Sequence, residues 1–186
     1  MKISILALFL VLSCTLNQKS FEPSKAEVEQ AEKIAIEVAD WFEYTTGPMK
    51  NERLGQCGDY AVKFILDYNK FAGKDVARLV VANNPVDSGT YRIGKKVDVK
   101  ALGFNGFSSG SSGFLSWNGQ LYLYHPVLGA YEIFLEKAWT PTKHFGVNML
   151  DKRQVHVWAS VGNLSVDPTY YDIFKKNFPS PLGKDE

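Results

Sequence analysis

A single cysteine at the predicted start of a helix is the first candidate for chemistry. Cys57 lies in the segment Gly55-Gln56-Cys57-Gly58-Asp59, and the apolar residues after it recur at helical spacing. A thiol in the first turn of a helix lies near the positive end of the helix dipole, which favours the nucleophilic thiolate. Gly55 allows the sharp turn that leads into this helix. The alternative interpretation of Cys57 is a small, inert core residue.

Two further residues near the end of the chain could complete a catalytic group with this thiol. His156 lies in a strand-like segment two positions before Trp158, so both side chains share one face of the strand. Asp167 follows soon after, and a carboxylate there could hold an imidazole in its productive tautomer. The alternatives are an ordinary strand histidine and an Asp-Pro turn.

The loop between these two residues decides whether they can meet. Gly162-Asn163 predicts a two-residue hairpin loop. With that loop Trp158 pairs with Asp167, and His156 pairs with Thr169. Asp167 then becomes a diagonal neighbour of His156 on the same face, about 7–8 Å away at the backbone. A loop one residue longer or shorter would place the two side chains on opposite faces.

Taken in order, these segments resemble the transglutaminase-like superfamily of cysteine enzymes. The resemblance rests on Gly-Gln-Cys at a helix start, His-Val-Trp on a strand and Asp-Pro-Thr after a short hairpin. It implies a catalytic triad with Cys57 as nucleophile, His156 as base and Asp167 as the residue that orients the base. It also implies that Gly55 and Trp158 shape the site, and that the fold is α+β and papain-like, with N-terminal helices packed on an antiparallel sheet.

A cysteine enzyme of this kind also needs donors for the oxyanion of its intermediate. The backbone N–H of Cys57 is one natural donor. A second could come from Gln56, Asn51 or Trp41. Asn51 precedes the cysteine by six residues, a spacing that papain-like enzymes use for a side-chain amide, although an ordinary loop residue is the simpler interpretation.

The sequence predicts neither a metal nor a cofactor. The three histidines are scattered, Cys57 is the one cysteine outside the N-terminal segment, and no glycine-rich phosphate loop is present. Five aromatic residues could line a peptide or carbohydrate groove, but packing between strands is the more common role of such residues; they are Trp117, Tyr122, Tyr124, Tyr131 and Trp139.

The remaining pattern predicts helices first and an antiparallel sheet afterwards. A capping box at Ser24 starts one helix, and a second runs from Cys57 to Gly73. Strands are expected over 76–82, 114–117, 120–124, 131–135, 155–161 and 164–166, with a tight Asn-Gly turn at 118–119. The domain is predicted to span 24–178, with an insertion at about 83–150 and a tail at 179–186.

The N-terminus predicts export. Lys2 is followed by the largely apolar stretch 3–12, too short for a membrane-spanning helix and typical of a signal peptide. Val11-Leu12-Ser13-Cys14 resembles a bacterial lipobox, which implies that Cys14 carries a lipid and that 15–23 is a tether to the membrane. A plain secretory signal cut near Ser13 is the alternative, which gives a periplasmic or secreted protein.

Composition limits the classes of partner. The chain has 186 residues, 45% of them hydrophobic, and a net charge of +1, so one packed domain is expected and no basic surplus indicates nucleic acid. The predicted function is cysteine-dependent acyl transfer at amide bonds of a peptide or protein substrate, which includes substrates linked to the cell wall. A non-catalytic envelope binding module is the alternative, and a disulfide-linked dimer through Cys57 is a third.

Overall fold

The computed structural model describes residues 21–82, 88–98, 112–138, 156–174 and 182–184. These residues form three helices, ten strands and their connections. The helices are α1 (Lys25–Trp41), α2 (Cys57–Ala72) and α3 (Pro168–Phe174). The strands are β1 (Glu43–Tyr44), β2 (Leu54–Gly55), β3 (Ala77–Ala82), β4 (Gly89–Val97), β5 (Gly113–Trp117), β6 (Gln120–His125), β7 (Gly129–Ala138), β8 (His156–Val161), β9 (Leu164–Val166) and β10 (Leu182–Lys184).

The first helix begins as its sequence predicts. Ser24 is the N-cap, its backbone N–H donates to Glu27 Oε2 at 2.9 Å, and the Glu27 N–H donates back to Ser24 Oγ at 3.4 Å. These reciprocal bonds satisfy backbone donors that the first turn cannot pair internally. The apolar stripe of α1 faces the core, where Ala31, Ile34 and Val38 are buried.

The second helix also has the predicted bounds. It starts at Cys57 and ends at Ala72, followed by the predicted stop Gly73 as its C-cap. The φ of Gly73, 64°, is the left-handed conformation that glycine adopts most easily. The Asp59 carboxylate accepts a hydrogen bond of 2.8 Å from the backbone N–H of Gln56, the N-cap residue. This contact fixes the first turn, which carries the candidate nucleophile.

An eight-stranded sheet forms the other layer, in the order β10-β9-β8-β3-β4-β7-β6-β5 with every neighbouring pair antiparallel. Alternate residues of β3, β8 and β9 join the buried faces of α1 and α2 in one core. The fold is therefore α+β with helices on an antiparallel sheet, as predicted. Strand β8 lies beside β3 although about seventy residues separate them in sequence, and this pairing brings the end of the chain to α2.

The segment 83–150 contributes four strands, β4 to β7, so the region predicted as an insertion makes up half of the sheet. Strand β4 was not predicted. Its buried residues Tyr91 and Ile93 alternate with Arg92 and Gly94 and then give way to two lysines, which is too short an apolar alternation to read from sequence. The hairpin at 118–119 is confirmed, with both residues at positive φ.

Both ends of the predicted domain make contacts that the sequence did not predict. Strand β10 pairs with β9, so part of the predicted tail belongs to the sheet. At the other end, the carbonyl of Phe21, within the predicted tether, accepts a 3.2 Å hydrogen bond from the Asn163 N–H. The ammonium of Lys74 lies 5.5 Å from the centre of the Phe21 ring. The predicted signal peptide, Cys14 and most of the tether lie outside the described residues.

Candidate active site

Cys57 is the first residue of α2 and is half-buried, with a free thiol. The short parallel pair β1–β2 delivers the chain to it, because Tyr44 pairs with Gly55 two residues before the cysteine. The thiol therefore lies in the first turn of a sixteen-residue helix, at the end where backbone N–H groups have no partner within the helix.

The role of Gly55 differs from the one predicted. It is not among the residues with positive φ, so no left-handed turn requires glycine there. A Cβ at this position would instead lie 2.8 Å from Cδ1 of Phe42, a buried ring. Glycine is needed because the backbone leading into α2 passes directly over the Phe42 ring.

The hairpin of β8 and β9 brings the other two predicted residues together. Val161 pairs with Leu164 and Ala159 with Val166, which is the predicted register. His156 Nε2 and Asp167 Oδ2 are 2.6 Å apart, so the predicted diagonal contact is confirmed. The predicted pairing of His156 with Thr169 is wrong, because the chain leaves the sheet after Val166 and Thr169 lies in α3.

The second oxygen of Asp167 is used as well. Asp167 precedes α3, and its Oδ1 accepts a hydrogen bond of 3.3 Å from the Tyr170 N–H. Its backbone carbonyl accepts one from Tyr171 N–H. Pro168 is the first residue of α3. Proline costs no hydrogen bond at this position, because the first N–H of a helix has no partner within the helix. Asp167 thus caps α3 with one oxygen and holds the imidazole with the other.

Opposing effects set the charge of His156. Burial lowers the pKa of the imidazole, whereas the charge of Asp167 and its hydrogen bond raise it, and hydrogen bonding and charge from Cys57 raise it further. The net result raises the pKa of His156 to about 10. The imidazole is therefore held as an imidazolium between an acid and the thiol. Because Nε2 faces Asp167, Nδ1 is the nitrogen left for Cys57.

Trp158 lies against this imidazole as predicted. The two rings are stacked, with centroids 5.6 Å apart and planes inclined by 26°. The indole N–H of Trp158 donates to Ser165 Oγ at 3.1 Å, which fixes the ring that limits the movement of His156.

The three candidate oxyanion donors occupy different positions. Gln56 adjoins Cys57, and its Oε1 accepts a hydrogen bond of 3.3 Å from Ser112. Asn51 is exposed, and its Oδ1 accepts the Arg53 N–H at 2.8 Å, the loop role that was its simpler interpretation. Trp41 packs beneath two cations, with Arg53 and Lys63 about 5 Å from its ring centre. Of the three, Gln56 is the one next to the thiol.

Tyr44 is a residue at the site that the sequence did not single out. Its pKa is raised first by burial and then by the charges of Cys57 and Asp167, which places the phenol near both. Its backbone lies beside Gly55, and its side chain is at the boundary between half-buried and exposed. The only sequence signal is an aromatic residue shortly after α1, and that signal is too common to be useful.

The histidine and tyrosine side chains of β6 have structural roles. His125 is buried, and its Nδ1 accepts the backbone N–H groups of Val127 and Leu128. Its Nε2 must then carry the proton, which is donated to the Leu54 carbonyl at 2.9 Å. Tyr122 and Tyr124 are buried in a small core cluster, against which Trp117 packs. Trp139 and His144 lie outside the described residues.

A cavity of about 190 Å³ lies elsewhere on α2. Its walls include Trp41, Asp59, Lys63, His125 and Tyr131, but neither Cys57 nor His156. Burial raises the pKa of Asp59, and the hydrogen bond from Gln56 opposes that shift. The cavity and the thiol therefore occupy different faces of the same helix.

Two properties of residues 21–82, 88–98, 112–138, 156–174 and 182–184 concern metal ions and membranes. Within those ranges no three His, Cys, Asp or Glu side chains come close enough together to hold a metal ion. No helix of the same ranges is long and apolar enough to cross a membrane. Comparison with family models, with curated proteins and with solved structures gave no match for this chain.

Proposed function

We propose that the protein is a cysteine-dependent acyl-transfer enzyme that acts on amide bonds, with Cys57, His156 and Asp167 as its catalytic residues. One observation carries the proposal: the His156 imidazole is 2.6 Å from the Asp167 carboxylate and also interacts with the Cys57 thiol at a helix start. Burial lowers the pKa of this imidazole, but Asp167 and, to a smaller extent, Cys57 raise it. The same three residues are the ones that the resemblance to the transglutaminase-like superfamily implies. A papain-like fold is part of this proposal.

The proposed reaction has two stages. The Cys57 thiolate attacks the carbonyl carbon of the amide, and a carbon–sulfur bond forms while the carbon–nitrogen bond breaks. His156 donates its proton to the departing amine, and the acyl group remains as a thioester. Water or an amine then attacks the thioester, His156 takes up the proton of that nucleophile, and Cys57 leaves as thiolate. Asp167 keeps the imidazole in position throughout.

The backbone N–H of Cys57 and a donor from Gln56 would stabilise the oxyanion of both stages. Hydrolysis is the preferred outcome for an exported protein, with a peptide or cell-wall-linked substrate. Transfer to an amine is the other outcome of the same thioester. The proposal includes export and a lipid on Cys14 that attaches the protein to a membrane.

The reactivity of the thiol tests this proposal. A form that begins at Thr15 contains Cys57 as its only thiol, so alkylation by iodoacetamide reports on that residue alone. An unperturbed cysteine titrates near pH ~8.5, and a cysteine paired with an imidazolium reacts as thiolate well below that value. Alkylation is expected to persist below pH 7 in this form and to weaken in a His156→Ala variant. The Cys57→Ala variant supplies the background.

A midpoint of alkylation near pH ~8.5 in both proteins would refute the proposal that the protein is an enzyme. That result would leave the second hypothesis, a binding module of the cell envelope that uses the same fold without chemistry.

A further inference from the structure

The short helix α3 controls where Asp167 lies. Asp167 is the residue immediately before α3 and bonds to its first turn through Tyr170. The helix packs mainly against α1, α2 and β1. Whatever fixes α3 on these neighbours therefore also fixes the distance between Asp167 and His156.

A partly buried polar contact joins α3 to the helix of the nucleophile. Tyr60 follows Cys57 by three residues, so the two side chains leave α2 on the same face. The Tyr60 hydroxyl donates to Asp172 Oδ2 at 2.6 Å, although 112 positions separate the residues. The backbone N–H of Tyr44 donates to the same oxygen at 3.3 Å.

The charge states suit this contact. Tyr60 has no solvent exposure, and burial raises its pKa, as do the hydrogen bond to Asp172 and the charge of that carboxylate. The phenol therefore stays protonated as a donor, and the carboxylate accepts both bonds. Hydrogen bonds to a charged acceptor are stronger than neutral ones, so Asp172 is a firm link between α2, β1 and α3.

We propose that Asp172 is a positioning residue, which fixes α3 against Tyr60 of α2 and thereby holds Asp167 against His156. Its catalytic consequence rests on the acyl-transfer function proposed above, but the geometric role does not. The contact between Tyr60 and Asp172 fixes the position of α3. That position in turn keeps Asp167 within hydrogen-bond distance of His156.

A matched pair of variants tests this role. Tyr60→Phe removes the hydroxyl that Asp172 accepts. Tyr68→Phe is the control, because Tyr68 lies on the same helix, is equally buried, and its hydroxyl has no hydrogen-bond partner within the described part of the chain. Both variants lose one oxygen from a packed ring. The readout is the midpoint at which the His156 imidazole titrates, followed by NMR in the form that begins at Thr15.

Tyr60→Phe is expected to lower the His156 midpoint by about one pH unit or more, because a looser Asp167 stabilises the imidazolium less. Tyr68→Phe is expected to leave it unchanged. Asp172→Asn keeps an oxygen acceptor for Tyr60 and should retain most of the wild-type midpoint, whereas Asp172→Ala should match Tyr60→Phe. Asp172→Ala also provides the measurement if Tyr60→Phe does not fold.

The proposal is overturned if the midpoint is the same in wild type and Tyr60→Phe, or if Tyr68→Phe lowers it equally. A wild-type midpoint near the ordinary histidine value of about 6.5 would overturn it as well, since no strong contact with Asp167 would then exist to be held. None of these results depends on thiol reactivity, so failure of the acyl-transfer proposal in the alkylation experiment is a separate outcome.

Discussion

His156 Nε2 and Asp167 Oδ2 are 2.6 Å apart, although the residues are separated by eleven positions and only His156 lies within a strand. The two-residue loop of the β8–β9 hairpin sets the register, and the start of α3 turns the carboxylate toward the imidazole.

Removing the charge of Asp167 should lower the reactivity of the Cys57 thiol and leave the fold nearly unchanged. Asp167→Asn has one acceptor oxygen where Asp167 uses two, so it can cap α3 or accept from His156 in the same geometry but not both. Asparagine is still a good N-cap, so helix and hairpin should form. Without the negative charge, the pKa of His156 falls and the imidazolium that stabilises a Cys57 thiolate is less populated. We expect alkylation by iodoacetamide at pH 7 to slow by about tenfold or more. Unchanged alkylation would contradict the role assigned to Asp167.

Stability should fall as the solution becomes alkaline. The pKa of His156 in the folded protein, about 10, exceeds the value of about 6.5 in an unfolded chain. The contribution of the imidazolium is therefore fully present below pH ~6.5 and is lost as pH rises toward 10. Urea unfolding at pH 6 and pH 9.5 should differ by on the order of a few kcal/mol. A His156→Gln variant should show a smaller difference, and an equal one would be evidence against the shift.

The close approach at Gly55 should make that position sensitive to a single methyl group. In Gly55→Ala the new Cβ would lie 2.8 Å from the Phe42 ring, which is buried and cannot easily move. We expect a loss of about 1–3 kcal/mol in the free energy of unfolding. Gly113→Ala is the control, since no atom of the described residues lies within 4 Å of a Cβ there and φ is not positive. Equal effects of the two substitutions would show that packing is not the reason for Gly55.

The two hairpin glycines should respond differently to alanine. Gly119 and Gly162 have φ of 77° and 61°. An alanine at either position must adopt the left-handed backbone conformation, which costs roughly 1–2 kcal/mol. Within the described part of the chain, a Cβ at Gly119 has no atom within 4 Å, whereas one at Gly162 would lie 1.8 Å from the carbonyl oxygen of Phe21. Gly162→Ala should therefore be clearly the more destabilising variant in thermal unfolding. Equal destabilisation would mean that Phe21 does not dock on the hairpin.

The lipid proposed for Cys14 can be tested on the full chain. Cys14→Ser removes the acceptor thiol and leaves the domain unchanged. In bacterial cells, the wild-type protein should remain with the membrane fraction and partition into detergent, and the variant should not. Identical partitioning of the two proteins would favour the plain secretory signal.

The sequence alone determined the parts of this protein that local chemistry controls. The Ser24 capping box, the apolar stripes of α1 and α2, Gly73 and the Gly162-Asn163 loop each act over a few residues, so their patterns predicted elements that the structure confirms. The contact between His156 and Asp167 was predictable for the same reason, because one hairpin register places both residues on the same face.

Only the tertiary structure decided which residues that are far apart in sequence come into contact. The pairing of β8 with β3 brings His156 to the start of α2, and no local pattern specifies which strands become neighbours. The roles of Tyr44, Tyr60 and Asp172 arise from contacts over more than a hundred positions. Gly55 is a further example. The sequence could indicate its conformational freedom, but the lack of room for a Cβ arises only when the Phe42 ring packs against it.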